Sequence, residues 1–378
     1  MFNRSDRNRD AFMLHGPLAR KGYDWWWHSF TAQEVGTEKE KAFFIEFFII
    51  NPALQEEYPV LGQLDQNREA RKRPSYLMVK AGCWGEDACQ LHRFFSLKDV
   101  RINEGTPFEV EAEDCFVSET ELRGSIQIKE EENAMHPEWM CDAGALSWDL
   151  RVNKEIAFNV GYGASKPFRD AEAFAMYWHA EGMKSTFEGS LIFNGKKYLV
   201  RPENCFGYAD KNWGRDFTSP WVWLSSNCLK SRISGKMLTN SVFDIGGGRP
   251  KIYFLPLDRR LLSAFYYEGV EYDFNFSHVW LNVKTRFAFS EQENRVLWHV
   301  RQENRHALMD VRVACKKKDM LFVQYEAPDG SKKHNRLWNG GNGIGLIRLY
   351  DKAGHELKLV DEIEATHIGC EYGEYTKL

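Results

Sequence analysis

Residues 190–228 read SLIFNGKKYLVRPENCFGYADKNWGRDFTSPWVWLSSNC, and they hold the two signals that decide the fold. Asn194-Gly195 stands between the short runs SLIF and KKYLV. An Asn-Gly pair so placed supplies the two positive-φ residues of a tight hairpin turn. From Phe206 to Pro220 the Gly, Asn and Asp content predicts a structured loop, and Trp221 to Cys228 reads as a strand. Side chains alternate across a strand, so Trp221, Trp223, Ser225 and Asn227 share one face and Val222, Leu224, Ser226 and Cys228 the other. The second face is ordinary core. The first mixes large rings with a few polar groups, which is how a wall around an apolar, oriented ligand is built. The structural alternative is a buried tryptophan pair beside a salt-bridged corner loop.

Working outward, the same short-strand pattern recurs. Tyr23 to Phe30 alternates Tyr23, Trp25 and Trp27 against Asp24, Trp26 and His28. Ala42 to Ile50 is apolar on both faces except at Glu46, and Asn51-Pro52 ends it. Ser75 to Lys80, Cys115 to Lys129, Leu146 to Val152 and Ile156 to Val160 follow as strand patterns. Downstream, Glu268-Gly269, Asp329-Gly330 and Ala353-Gly354 mark further turns. Asp170 to Glu181, with Phe174, Tyr177 and Trp178 at near-helical spacing, predicts a helix that covers or links the halves. Short strands joined by hairpins with a single helix mean an antiparallel all-β protein. The length of 378 residues suits two domains, divided near residue 205 into 1–205 and 206–378.

Composition excludes several classes of function. A net charge of -4 gives no electrostatic footprint for nucleic acid. No apolar run approaches the roughly 18–20 residues that span a bilayer. The opening MFNRSDRNRDAFML carries charges of both signs and no apolar core, so the expected location is cytoplasmic, with the cysteines reduced. Aromatic residues at 14% are the one unusual value, and they suit a large ring-lined interior. Gly246-Gly247-Gly248 precedes a strand pattern rather than a helix, so a bulge or turn is expected there in place of a phosphate loop. The histidines show no HxH or HExxH spacing, and no GxSxG occurs; neither a metal nor any other cofactor is expected.

Two carboxyls stand out as candidate proton donors. Glu46 lies among Phe44, Phe48 and Ile50, where desolvation favours the protonated form; the alternative is a buried ion pair with Lys80. Asp210 has the same choice, with Lys211 or Arg215 as the pairing partner.

The string Tyr208–Gly214, YADKNWG, followed by Pro220 to Trp223 and then Asn227, resembles the YAEKNWG…W-x-W…N signature of the tocopherol cyclase family. Trp178-His179, Glu188-Gly189 and Asn194-Gly195 fall at similar offsets upstream. Gly22-Tyr23 with Trp25 to Trp27, and Gly369 with Glu371-Tyr372-Gly373, extend the likeness weakly to both ends. Asp210 stands where the family has Glu, and Lys21 where an acid is expected. The resemblance implies two tandem lipocalin-like β-barrels or sandwiches and a non-redox site for a prenylated or polyene substrate, in an architecture shared with carotenoid hydratases.

These readings meet in one expectation: a cofactor-free cyclase, isomerase or hydratase that protonates a double bond of an apolar aromatic, prenylated or polyene substrate. Asp210 or Glu46 is the donor. Trp213, Trp221 and Trp223 line the path of the cation, and Tyr208, Asn227, Trp26 and His28 bind and orient the substrate. Lys211, Asn212 and Gly214 are structural parts of the motif. The site is expected at the junction, with Trp26 and His28 approaching Trp221, Trp223 and Asn227. A lipocalin-like carrier of a hydrophobic small molecule is the alternative, and a filled scaffold without a cavity is a third.

Overall fold

A computed structural model describes residues 10–62, 64–105, 107–158, 173–252, 255–258, 260–354 and 356–377. The protein is all-β and antiparallel. The first sheet comprises β1 (Tyr23–Glu34), β2 (Glu40–Ile50), β3 (Tyr76–Cys83), β4 (Cys89–Phe95), β5 (Arg101–Asn103), β6 (Glu109–Ala112), β7 (Cys115–Ser118), β8 (Glu121–Ile128), β9 (Gly144–Phe158), β10 (Met176–Phe193), β11 (Lys196–Val200) and β12 (Gly207–Gly214). The second comprises β13 (Trp221–Ser226), β14 (Cys228–Ser231), β15 (Val242–Gly248), then, past the small hairpin β16 (Lys251–Ile252) and β17 (Leu255–Pro256), β18 (Arg260–Tyr267) and β19 (Val270–Asp273). It continues with β20 (Lys284–Glu291), β21 (Arg295–Glu303), β22 (Ala307–Lys316), β23 (Leu321–Glu326), β24 (Lys332–Ala353), β25 (Glu356–Gly373) and β26 (Tyr375–Lys377). The chain passes from one sheet to the other between Gly214 and Trp221, through a cis Ser219-Pro220 bond.

Turn chemistry sets much of this register. Asn194 and Gly195 have φ of 47° and 78° and join β10 to β11, and Glu268-Gly269, at 43° and 97°, join β18 to β19 in the same way. Both φ values positive is the primed geometry that matches strand twist.

Three sequence expectations are corrected. The helix expected over Asp170–Glu181 is absent where the chain is described: residues 170–172 lie outside the described set, and Met176 onward is β10. Tyr177 and Trp178 lie on opposite faces of that strand, so two adjacent rings reflect two separate cores rather than one helical stripe. Among the described residues the α-helices are the short segments Pro17–Arg20, Asp65–Glu69 and Glu130–Met135. Gly207–Gly214, expected as a loop, is a fully buried strand. It pairs with β1 on one side and β10 on the other, and two ladders of backbone hydrogen bonds outweigh its Gly/Asn/Asp composition. Gly246-Gly247-Gly248 lies within β15 rather than at a turn.

Three cores explain why β1, β2 and β3 are apolar on both faces. One face of each packs into the interior of the first unit, with Trp26, Phe43, Phe47 and Val79. The other joins an aromatic layer between the sheets, with Tyr23, Trp25, Trp27, Phe44 and Phe48 meeting Trp221, Trp223 and Tyr325. A third core, with Val222, Leu224, Phe243 and Val311, fills the second unit. A strand buried on both sides has no polar alternation to show.

Candidate active site

The layer between the sheets encloses a narrow cavity of about 20 Å³, room for little more than a water molecule. The first sheet contributes Trp25, Trp27, Met176, Asp210 and Asn212, and the second Trp221, Trp223, Tyr325, Leu337 and Glu371, with Phe217 and Thr218 from the connection. A second cavity of about 40 Å³ adjoins it. Met176, Thr218 and Trp221 belong to both walls, and Trp178, Leu262 and Phe276 line the far side.

Asp210 reaches the cavity because β12 alternates: Tyr208, Asp210 and Asn212 face the aromatic layer, while Lys211 and Trp213 face the first unit. Its Oδ2 accepts from Trp178 Nε1 at 2.6 Å and from Tyr208 Oη at 3.0 Å. Its Oδ1 is buried without a hydrogen-bond partner. Burial drives the Asp210 pKa well above the usual carboxylate range, against the two hydrogen bonds, and the nearby Glu371 and Glu46 carboxyls push the same way. Neither neighbouring base pairs with it. Lys211 turns into the first unit, where its Nζ lies 2.8 Å from Asp24 Oδ1 and also bonds the Ala11 carbonyl.

Glu371 faces the same space from β25. Trp221 Nε1 donates to its Oε2 at 2.7 Å and Asn339 Nδ2 to its Oε1 at 2.5 Å, while Trp84 Nε1 holds Asn339 Oδ1 at 2.7 Å. Burial raises the Glu371 pKa to about 7, partly offset by those donors. Tyr208 also reaches Asp244 of the second sheet, Oη to Oδ2 at 3.2 Å, and Trp223 Nε1 contacts both, Tyr208 Oη at 3.1 Å and Asp244 Oδ1 at 3.2 Å.

The aromatic walls depend on missing side chains beneath them. A Cβ on Gly246 would fall 2.5 Å from the Trp178 ring, and one on Gly369 would fall 2.2 Å from the Trp223 ring. Glycine at these two places lets the rings lie against β15 and β25.

Of the residues expected at the site, Asp210, Trp221 and Trp223 line the first cavity, and Tyr208 bonds to Asp210 behind it. Asn212, expected to be structural, also lines it; with its amide oriented to suit its neighbours it accepts from Trp25 Nε1 at 3.1 Å and donates to Tyr177 O at 3.2 Å. Gly214 is needed where β12 crosses β10, since a Cβ there would meet Ala175 O at 2.2 Å. The others are placed elsewhere. Trp26 stacks on Phe108 inside the first unit at 4.7 Å between centroids, and His28 lies on the same side near Phe187. The alternation along β1 was legible but the other face, Trp25 and Trp27, meets the cavity: the titratable groups beside Trp26 serve a buried network of Asp24 with Lys211 and Asp10 with Lys154. Trp213 stacks on Tyr177 at 5.3 Å, away from the cavity. Asn227 interrupts the expected strand between β13 and β14 and fastens that kink to the first sheet through Gly207 O at 2.7 Å. Glu46 is in the ion-paired alternative, 2.7 Å from Lys80 Nζ, and accepts from Tyr325 Oη at 2.9 Å.

Sequence reasoning gave no site role to Trp25, Trp27, Asp244, Glu371 or Tyr325. Asp244 and Glu371 offered one usable signal, an isolated acid flanked by apolar or glycine residues in a strand pattern. Among the described residues no cluster of three or more His, Cys, Asp or Glu could hold a metal ion, and no helix is long and apolar enough to cross a membrane.

Among solved structures, kievitone hydratase from Nectria haematococca aligns over 95% of this chain and 90% of its own, at 12% identity and a TM-score of 0.48. A protein provisionally assigned as AttH from Nitrosomonas europaea aligns over 95% and 97%, at 11% identity and a TM-score of 0.43. No curated protein matches the sequence. The sequence pattern of the tocopherol cyclase-like family, however, matches residues 120–374, a span that includes β12, β13 and β25 with Asp210, Trp221, Trp223 and Glu371, and the chain belongs to that family.

Proposed function

We propose that the protein is a cyclase or hydratase that protonates a carbon–carbon double bond of an apolar aromatic, prenylated or polyene substrate held between the two sheets. Membership of the tocopherol cyclase-like family supports a catalytic role of this type. The observation that carries the reading is Asp210: a buried carboxyl, bonded only by neutral donors, that keeps one oxygen unpartnered beside an aromatic-walled cavity.

In this reading the Asp210 proton forms a new C–H bond as the π bond breaks. Trp178 and Tyr208 already donate to the carboxylate that remains. Positive charge develops on the adjacent carbon, facing the rings of Trp25, Trp27, Trp223 and Tyr325, each able to contribute about 0.5–2 kcal/mol of attraction. The cation is captured by a substrate hydroxyl, closing a ring, or by water. Glu371, in its ionised form, takes the proton that this oxygen loses, so the product is an isomer or a hydrate. The walls part to admit a substrate of this size: its apolar remainder extends past Met176 towards the second cavity, and the unbranched thioether side chain is suited to turn aside.

The test is turnover of prenylated hydroquinones, polyenes and flavonoid-like phenols in D2O, read by mass spectrometry. The expected product carries one deuterium on carbon, and Asp210→Asn lowers its rate by about 10²–10⁴-fold. Tight binding with every class recovered unlabelled and unchanged would overturn the enzymatic reading in favour of a carrier.

A further inference from the structure

Tyr208 bridges the two sheets through its hydroxyl, and counting the hydrogen bonds at that oxygen constrains where protons sit. Tyr208 Oη is 3.0 Å from Asp210 Oδ2 in β12 and 3.2 Å from Asp244 Oδ2 in β15. Trp223 Nε1 is 3.1 Å from the same Oη. An indole N–H only donates, and a phenol has a single proton. Tyr208 therefore donates to one carboxyl, and the other must bring its own proton or place two lone-pair oxygens face to face in a buried seam. Trp178 also donates to Asp210 Oδ2, and a carbonyl or carboxylate oxygen accepts better than the hydroxyl oxygen of a protonated acid. Tyr208 then donates to Asp210, and Asp244 supplies the second proton.

We propose that Asp244 is a positioning residue that stores a proton against Tyr208 and reloads Asp210 through the phenol after each transfer to substrate. For turnover this rests on the protonation chemistry proposed above; the stored proton itself does not. In the reloading step the Asp244 O–H bond breaks as its proton passes to Tyr208 Oη, and the phenol O–H bond breaks as its proton passes to Asp210 Oδ2. Tyrosine ends neutral. The negative charge moves from Asp210 to Asp244, where Trp223 Nε1 lies 3.2 Å from Oδ1. A half-turn of the Asp210 carboxyl brings the proton to its unpartnered side, and Asp244 is refilled from solvent while Glu371 returns the proton it took.

The surroundings favour storage. Both carboxyls are almost wholly buried, and among the described residues neither is ion-paired. Burial first, and the Asp210 charge second, hold Asp244 well above the usual carboxylate range. The acids facing Asp210 from other strands, Glu371 in β25 and Glu46 in β2, act in the same direction, and Lys211 is engaged with Asp24.

Infrared difference spectra of the full chain at neutral pH, in H2O and D2O, test the storage directly. Asp244→Asn should remove one protonated-carboxyl band and displace a second, which Asp210→Asn identifies. Tyr208→Phe should keep both bands but remove that displacement, and it guards against a folding defect in the Asn variant. Should Asp244→Asn leave every protonated-carboxyl band in place, or remove one without moving the other, the proposal is overturned. With a substrate that turns over, Asp244→Asn should preserve the first turnover and lower kcat by roughly 10²-fold, within the range of proton-transfer catalysis. A purely structural role slows both phases alike. Coupled bands without turnover of any olefin would sink the enzymatic reading and leave the aspartate pair standing.

Discussion

Lys80→Met asks most directly what Glu46 is for. Lys80 Nζ lies 2.7 Å from Glu46 Oε2, with both side chains fully buried, and 3.9 Å above the Tyr325 ring. At that separation and an effective dielectric constant near 20, the attraction is about 6 kcal/mol. Desolvation costs several kcal/mol for each ion, so the intact pair contributes little net stability. Removing one partner is different, because the other stays buried without compensation, at a cost of about 3–5 kcal/mol. Lys80→Met and Glu46→Gln should each lose about that much in urea unfolding followed by tryptophan fluorescence. The double variant should recover much of the loss, with a coupling of at least about 2 kcal/mol. Single losses below about 1 kcal/mol, or strict additivity, would refute the reasoning and return Glu46 to consideration as a proton donor.

Three further outcomes are expected. If Glu371, at about 7, is the base, the rate should rise with pH through that value as the carboxyl ionises, and Glu371→Gln should abolish this limb; a pH–rate profile unchanged in the variant contradicts the role. Burial lowers both His28 and His92 to about 3, so the unfolded chain binds more protons between about 6.5 and 3, and stability should fall as pH drops through that window by up to about 4–5 kcal/mol per histidine; melting temperatures of His28→Gln and His92→Gln across pH should fall less steeply than those of the wild type. Gly246→Ala places a Cβ 2.5 Å from Trp178 and should cost about 1–3 kcal/mol while displacing the donor of Asp210; unchanged denaturation midpoints would show that the ring has room to move.

The parts of the fold that depend on local chemistry were legible in the sequence. Asn194-Gly195 and Glu268-Gly269 announced their hairpins because positive φ at both turn residues is a local demand. The strand at Gly207–Gly214 was not legible, since its ladders come from β1 and β10, far away in the sequence. The same limit governed the site. Alternation correctly divided β1 into two faces, but which face meets the second sheet is a tertiary fact, and the polar groups near Trp26 and His28 drew attention to the interior of the first unit. Asp210 drew attention through the family-like motif, and Trp221 and Trp223 through that motif and strand alternation together; all three line the cavity. Asp244 acquires its meaning only from Tyr208, which reaches it across the seam.

The position of β12 in the chain sets an order of assembly. The first sheet is bounded in sequence by β1 and β12, and Tyr23 pairs with Gly214. A chain emerging from the ribosome cannot place that strand between β1 and β10 until nearly the whole first unit has been made, and contacts so distant in sequence form slowly. Until then β1 and β10 present unpaired edges, the hazard that natural sheets otherwise cover. A fragment ending at residue 205 keeps those edges permanently open and leaves Asp24 without Lys211, so it should aggregate during synthesis, whereas one ending beyond Gly214 carries its own closing strand.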